Sequence, residues 1–307
     1  MSSEILGSAE NVLKGNLGGA WDIKHGYAGA YSEKSELLSR GFGGASAAYS
    51  LRDIGAMGGK VVNVRRDSDD ETDSFSAIQL ATGAVETFVG SGNNGFVDTW
   101  YDQSGNGNNA VQSTLAYQPK IVNSGTFLNE LQFDGSNDYM QTTTQVLSGT
   151  ETGANGMYAV INQTSGDDGY ICGSSATDVS GNKMGQSLYG AGSSTNKVIL
   201  NNGNDASSGT NDTITIIEGS FYLISSCYND NDPNTLQTNG GTTGYANGGT
   251  PYDFNAGPLF TIGARKDSTT ASAVLFTGSM KEIIAFDVDT TSDRTEIQND
   301  MLTHYGL

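Results

Sequence analysis

Histidine, cysteine and proline are scarce in this chain of 307 residues, at two, two and four. With only His25 and His304, a Ser-His-Asp triad or a His-rich metal site has little material to draw on. Cys172 and Cys227 could pair only with each other, and their spacing does not fix their geometry; two reduced, buried thiols are the expectation. Basic residues are also few: 15 Lys and Arg stand against 34 Asp and Glu, a formal net charge of −19. Such a field repels polyanions, so neither nucleic acid nor an anionic membrane is expected as a partner. No run of about 18 apolar residues occurs to suggest a spanning helix. The start, Met1-Ser2-Ser3-Glu4-Ile5-Leu6, lacks the basic and apolar blocks of a signal peptide.

Glycine, by contrast, is abundant, with 42 residues among many Asn, Ser and Thr. That is about twice the usual share. It shows no three-residue period, which excludes a collagen-like chain and leaves tight turns between short strands, an all-β pattern. In Lys60 to Arg66, Val62 and Val64 alternate with Asn63 and Arg65, as a half-buried strand requires. Phe96–Tyr101, Leu131–Phe133, Met157–Ile161, Ile214–Ile217, Phe221–Ile224, Leu259–Ile262 and Met280–Val288 are short, β-branched or aromatic, and bounded by turn formers. The acidic run Asp67–Asp73 reads as a solvated loop. Only the C-terminal segment reads as a helix. Ser292 is its expected N-cap, Asp293 and Glu296 suit the positive end of the dipole, Ile297, Met301, Leu302 and Tyr305 form an apolar face, and Gly306 ends it.

Residues 1–45 are Gly- and Ala-rich with short apolar stretches. They read either as an arm or as one or two helices and an edge strand folded on the main domain. As an arm they would bury Leu6, Val12, Leu13 and Leu17 against a docking partner. Residues 46–307 read as one domain.

The most informative stretch is Thr99-Trp100-Tyr101-Asp102-Gln103-Ser104-Gly105-Asn106-Gly107-Asn108-Asn109-Ala110, followed by Gln118-Pro119-Lys120-Ile121-Val122. An aromatic strand there ends in a turn whose Asp and Asn side chains can cap backbone amides while two glycines supply positive φ. With Ala48–Arg52 and Val64–Ser68 before it, this stretch resembles the "YDQSGNGNDA" region of the α-L-arabinofuranosidase B catalytic domain and of many bacteriophage structural proteins. Leu131–Tyr139, Phe260–Arg265 and Phe276–Ile284 in turn look like strands of laminin-G-like, concanavalin A-like sandwiches. The two resemblances together imply one continuous jelly-roll β-sandwich with a short C-terminal helix.

Whether chemistry accompanies the fold depends on carboxylates. A retaining glycosidase needs two of them about 5 to 5.5 Å apart. In the arabinofuranosidase family the nucleophile lies in an Asp-Met-Glu-Asn stretch and a vicinal Cys pair lines the sugar pocket. The matching positions here are Ile199-Leu200-Asn201-Asn202, with no carboxylate, and Gly173 beside Cys172; the acid would correspond to Asp267. These departures from the family pattern argue against hydrolysis of arabinosides, and a retaining α-L-arabinofuranosidase stands as the third reading of the chain. No cofactor is expected. Asp102–Gly107 imitates the start of a calcium loop, but Ser113 stands where an EF-hand places its bidentate Glu. Turn capping accounts for that loop, for Asp134–Asp138 and for Asn229–Asp232 without a metal, Ca2+ remaining the lesser alternative.

The phage resemblance implies a virion surface protein, a head decoration, fibre or knob, assembled in the host cytoplasm. It would dock to capsid or tail proteins through its N-terminal segment and form a homo-oligomer. A second reading is a tail adhesin that binds a host surface glycan. For that role Tyr101, Tyr139, Tyr189 and Tyr245 are candidate stacking residues, and Asp102, Asn106, Asn201 and Asn202 candidate partners for sugar hydroxyls.

Overall fold

A computed structural model describes residues 44–55, 58–148, 154–164, 169–177, 183–191, 197–204, 212–229, 232–241, 243–246, 259–265 and 274–307. Leu6, Val12, Leu13 and Leu17 of the expected arm lie outside the described residues, as does Asp267. The first half of the sandwich comprises β1 (Ala45–Ser50), β2 (Lys60–Arg66), β3 (Thr72–Ser76), α1 (Ala77–Ala81), α2 (Ala84–Val89), β4 (Gly95–Trp100), β5 (Ala110–Val111), β6 (Lys120–Asn123), β7 (Thr126–Asp134) and β8 (Met140–Thr142), with a 3-10 turn at Leu115–Tyr117. The middle comprises β9 (Asn155–Gln163), β10 (Gly169–Thr177), β11 (Lys183–Ala191), β12 (Lys197–Asn204), β13 (Asp212–Thr215), β14 (Phe221–Asn229), β15 (Asp232–Thr238) and β16 (Thr243–Ala246). It closes with β17 (Phe260–Ile262), β18 (Ala264–Arg265), β19 (Val274–Leu275), β20 (Thr277–Phe286) and α3 (Arg294–Tyr305).

Every pairing among the described strands is antiparallel. One sheet runs β1–β20–β9–β14–β15–β16. The other runs β3–β2–β4–β5–β8–β17–β10–β11–β12–β13. The β6–β7 hairpin stitches them together, β6 pairing with β4 and β7 with the start of β20. This is the concanavalin A-like jelly-roll sandwich that the sequence resemblance implies.

Period-two alternation explains where the cores lie. From β9, Met157, Ala159 and Ile161 point between the sheets, and from β20, Ile283 and Ala285 do so. They meet Val62, Val64, Val97, Trp100, Ile121 and Phe133, with the Tyr49 and Trp100 rings 5.7 Å apart. Their neighbours Tyr158, Val160, Ile284 and Phe286 face the other way and are equally buried, because Ile297 and Met301 of α3 cover them. Strands apolar on both faces thus require a covering layer, and α3 is that layer.

Asp293, not Ser292, occupies the N-cap position of α3, and its side chain makes no cap bond. Gly306 closes the helix in the left-handed conformation. Two polar residues that break the apolar stripe, Arg294 and Gln298, are buried: Arg294 donates to Ser225 and Thr235, and Gln298 Nε2 to Ser225 Oγ. The acidic run forms the exposed β2–β3 turn, where Arg66 pairs with Asp69 and Arg65 with Asp70, while Thr72 and Asp73 already belong to β3. Both cysteines are free and buried, and burial pushes the Cys172 thiol up.

Gly278 marks the closest backbone approach on β20, which pairs there with Phe133 on one side and Gln163 on the other. A Cβ at this residue (φ +148°) would sit 2.1 Å from the Asn162 carbonyl oxygen. Gly278→Ala is therefore expected to destabilise the fold by about 2 kcal/mol or more in urea denaturation. Gly241→Ala, whose nearest contact is an ordinary 3.4 Å, should stay within about 1 kcal/mol of the parent. Equal effects would refute this account of β20.

Candidate functional site

The Tyr101–Ala110 stretch binds β1 along the side that β20 leaves open. Asp102 Oδ1 accepts from the amides of Ala48 (2.9 Å) and Ser104 (2.9 Å), and Oδ2 from the Asn108 amide (2.9 Å) and Ser104 Oγ (2.7 Å). The Gln103 amide donates to the Ala48 carbonyl, and its side chain donates to the carbonyls of Ser50 and Arg52 while accepting from Ile54 N. Asn106 Nδ2 donates to Ala45 O at 2.8 Å and Asn108 Nδ2 to Ser46 O at 2.7 Å. Side chains here do for β1 what a neighbouring strand's backbone would do. Of the residues expected to meet a glycan, Asp102 and Asn106 are thus engaged within the fold. Tyr101 is half-buried, with its hydroxyl 3.0 Å from Ser74 Oγ.

The other candidates do not converge with these. Tyr189 lies on β11 opposite Ile199, and Asn201 and Asn202 lie on β12 opposite Ser187 and Gln186. Tyr245 lies on β16 opposite Thr235, in the other sheet. Tyr139 is placed more suggestively: its ring centroid is 6.0 Å from that of Tyr117, and its amide donates to the Tyr117 carbonyl.

Beside this ring pair opens a cavity of about 530 Å³, lined by the 3-10 turn, β4, β6, the end of β7 and the start of β20. Phe96, Leu115 and Ala116 form its apolar wall, and Gln118, Lys120, Gln132, Asp134 and Asp138 supply polar groups. Gln118 is buried, accepting from Arg65 Nε and donating to the Gln112 carbonyl. The Arg65 guanidinium lies 5.0 Å and the Lys120 ammonium 5.9 Å from the Phe96 ring centroid, within cation–π range. Lys120 makes no ion pair among the described residues.

Asp134 ends β7 and Asp138 lies in the turn that follows it. Asp134 Oδ1 caps the amides of Ser136 and Asn137, and Asp138 Oδ2 accepts from the Asp134 amide at 3.0 Å. Burial, reinforced by the Asp134 charge, pushes the Asp138 carboxyl up to about 7, against the opposing pull of the Asp134 amide and Lys120. A carboxyl raised by burial and a neighbouring charge in a cleft is a candidate functional group. The cleft unites segments centred near residues 117, 135 and 278, so sequence reading found only its Asp134–Asp138 turn, as possible cation ligands. No cluster of three or more metal-ligating side chains occurs among the described residues.

No protein-family model matches this chain, and no curated protein does. Solved structures do. A mutant GH54 α-L-arabinofuranosidase soaked with 4-nitrophenyl α-L-arabinofuranoside superposes with a TM-score of 0.61 at 16% identity, over 88% of this chain and 64% of that one. An arabinofuranosidase complexed with arabinofuranosyl-α-1,2-xylobiose gives 0.59 at 15% identity, over the same shares. The chain thus spans 64% of these enzymes' length. Likeness at this identity shows the sandwich alone, a fold compatible with a glycosidase.

Proposed function

We propose that this chain is a phage virion surface protein, a head decoration, fibre or knob that displays the sandwich and does not hydrolyse glycosides. The observation that carries the reading is the use of the Tyr101–Ala110 stretch. The segment that resembles both the arabinofuranosidase catalytic domain and phage structural proteins ties β1 into the fold through Asp102, Gln103, Asn106 and Asn108, a scaffolding use that requires no reactive group. The positions matched to the enzyme nucleophile are the amides Asn201 and Asn202, which cannot form a glycosyl ester. Leu6, Val12, Leu13 and Leu17 would dock the chain on capsid or tail proteins, and copies of the chain would assemble as a homo-oligomer.

The cleft favours a second reading, a tail adhesin that contacts host glycan. An apolar wall beside convergent amide, amine and carboxyl groups is the composition that holds a sugar, and an arabinofuranosidase that contains a similar sandwich has been solved in complex with arabinofuranosyl-α-1,2-xylobiose. Cryo-electron microscopy of the particle that contains this chain is the test. Density on the head lattice is the expected result for a decoration protein and would refute the adhesin; density at a fibre tip would favour receptor binding. Absence from every particle would overturn both and return attention to catalysis.

A further inference from the structure

Resting on the saccharide reading of the cleft, we infer that it selects a sugar bearing a carboxylate, seating that group on Lys120 Nζ and Asp138 while the ring lies against Phe96 and Leu115. Lys120 forms no direct ion pair among the described residues, although its charge is felt by Asp138, whereas Arg65 is paired by Asp70 at 2.6 Å. An ammonium in a partly apolar cleft is stabilised by an anion that enters with its own apolar face. Leu115, 48% exposed at the wall, offers that face a surface.

Asp138 supplies the second half of the recognition. In its protonated form the carboxyl is a donor, so the cavity that both residues line offers an incoming carboxylate two donors, the Lys120 ammonium and the Asp138 acid. Ionised, Asp138 would instead answer Lys120 and repel the ligand. Asp134 at the end of β7 and Lys120 on β6 are the charges that bear on it: Asp134 favours the protonated form and Lys120 opposes it. A bound carboxylate adds to the Asp134 effect, so binding draws a proton onto Asp138. The net charge of −19 disfavours dense polyanions at long range, whereas one carboxylate on an otherwise neutral glycan meets the local ammonium within a screening length of about 8 Å. The ligand class is therefore a sparsely acidic oligosaccharide.

The test uses the full chain on an array that pairs glucuronate-, galacturonate- and sialate-bearing oligosaccharides with their methyl esters, beside neutral oligosaccharides. The expected result is binding of at least one acid, at least tenfold weaker binding of its ester, and affinity for the acid roughly tenfold lower at pH 8 than at pH 6, as the competent fraction falls. Asp138→Asn, which keeps a donor and an acceptor, should bind with a flat pH profile; Lys120→Gln should lose the distinction between acid and ester. Equal binding of acids, esters and neutral glycans, or a flat profile in the parent, overturns this inference and leaves the saccharide reading standing. No binding to any glycan at either pH overturns both.

Discussion

Glu282→Ala is expected to destabilise the protein by about 3–5 kcal/mol, the cost of breaking a buried ion pair from one side. Glu282 is fully buried in β20 and accepts from Arg52 Nε at 2.7 Å, Arg52 Nη2 at 2.9 Å, Ser50 Oγ at 2.8 Å and Tyr305 Oη at 2.9 Å. Arg52 also reaches Asp300 of α3 at 2.6 Å, so the carboxylate links β1, β20 and the C-terminal helix. Its removal leaves a guanidinium that is 8% exposed with Asp300 as its remaining carboxylate partner, and takes away the acceptor of the Tyr305 hydroxyl at the end of α3. In a chain of this size the loss corresponds to a fall in Tm of roughly 10 °C. A change under about 0.5 kcal/mol in urea denaturation would show that the network is energetically idle. The pH dependence has a definite sign. Burial alone would raise the carboxyl, but the Arg52 charge and the bonds from Arg52, Ser50 and Tyr305 outweigh it and hold the group below its ordinary value. Its stabilisation is thus present in full above the ordinary carboxylate range and is lost as pH falls through the depressed value. The parent should lose stability more steeply below about pH 4 than Glu282→Gln does.

Asp102→Ala should cost about 2–4 kcal/mol, because three backbone amides lose their acceptor together: those of Ala48, Ser104 and Asn108. Native-state hydrogen exchange reads the effect directly, with the Ala48 amide expected to lose most of its protection. If Asp102 served only a ligand, its removal would leave both stability and that amide within error of the parent.

The sandwich was legible in the sequence at Val62 and Val64, which face the core as the alternation in Lys60–Arg66 predicts, but that strand is not half-open as expected, since Val61 and Arg65 are buried too; an unbroken apolar run such as Met157–Ile161 is buried on both faces. The short helices α1 and α2 were not, because five and six residues are too few to show a 3.6-residue period. Ser76 and Gln79 nevertheless form a capping box, a signal that a search for Ser-x-x-Gln would have found. In α3 the apolar face was readable, but the burial of Arg294 and Gln298 was not, since their partner Ser225 is distant in sequence and carries no pattern of its own. The cleft escaped for the same reason. Lys120 and Asp138 become informative only when the β6–β7 hairpin sets them around one cavity, and the packing of the candidate Tyr139 on Tyr117 is a contact that no local rule supplies. The loop chemistry of Asp102 and Asn106 was visible, but which backbone groups it would satisfy was not.

The strap along β1 also bears on the order in which the chain assembles during synthesis. Ser50 meets Glu282 across 232 positions of sequence, whereas Ala48 meets Asp102 across 54. At a ribosomal rate of about 5–20 residues per second, β20 emerges on the order of ten to thirty seconds after the strap. The short-range partners of β1 therefore exist long before the long-range ones, and β1 waits for β20 already held along one side by its own neighbouring loop.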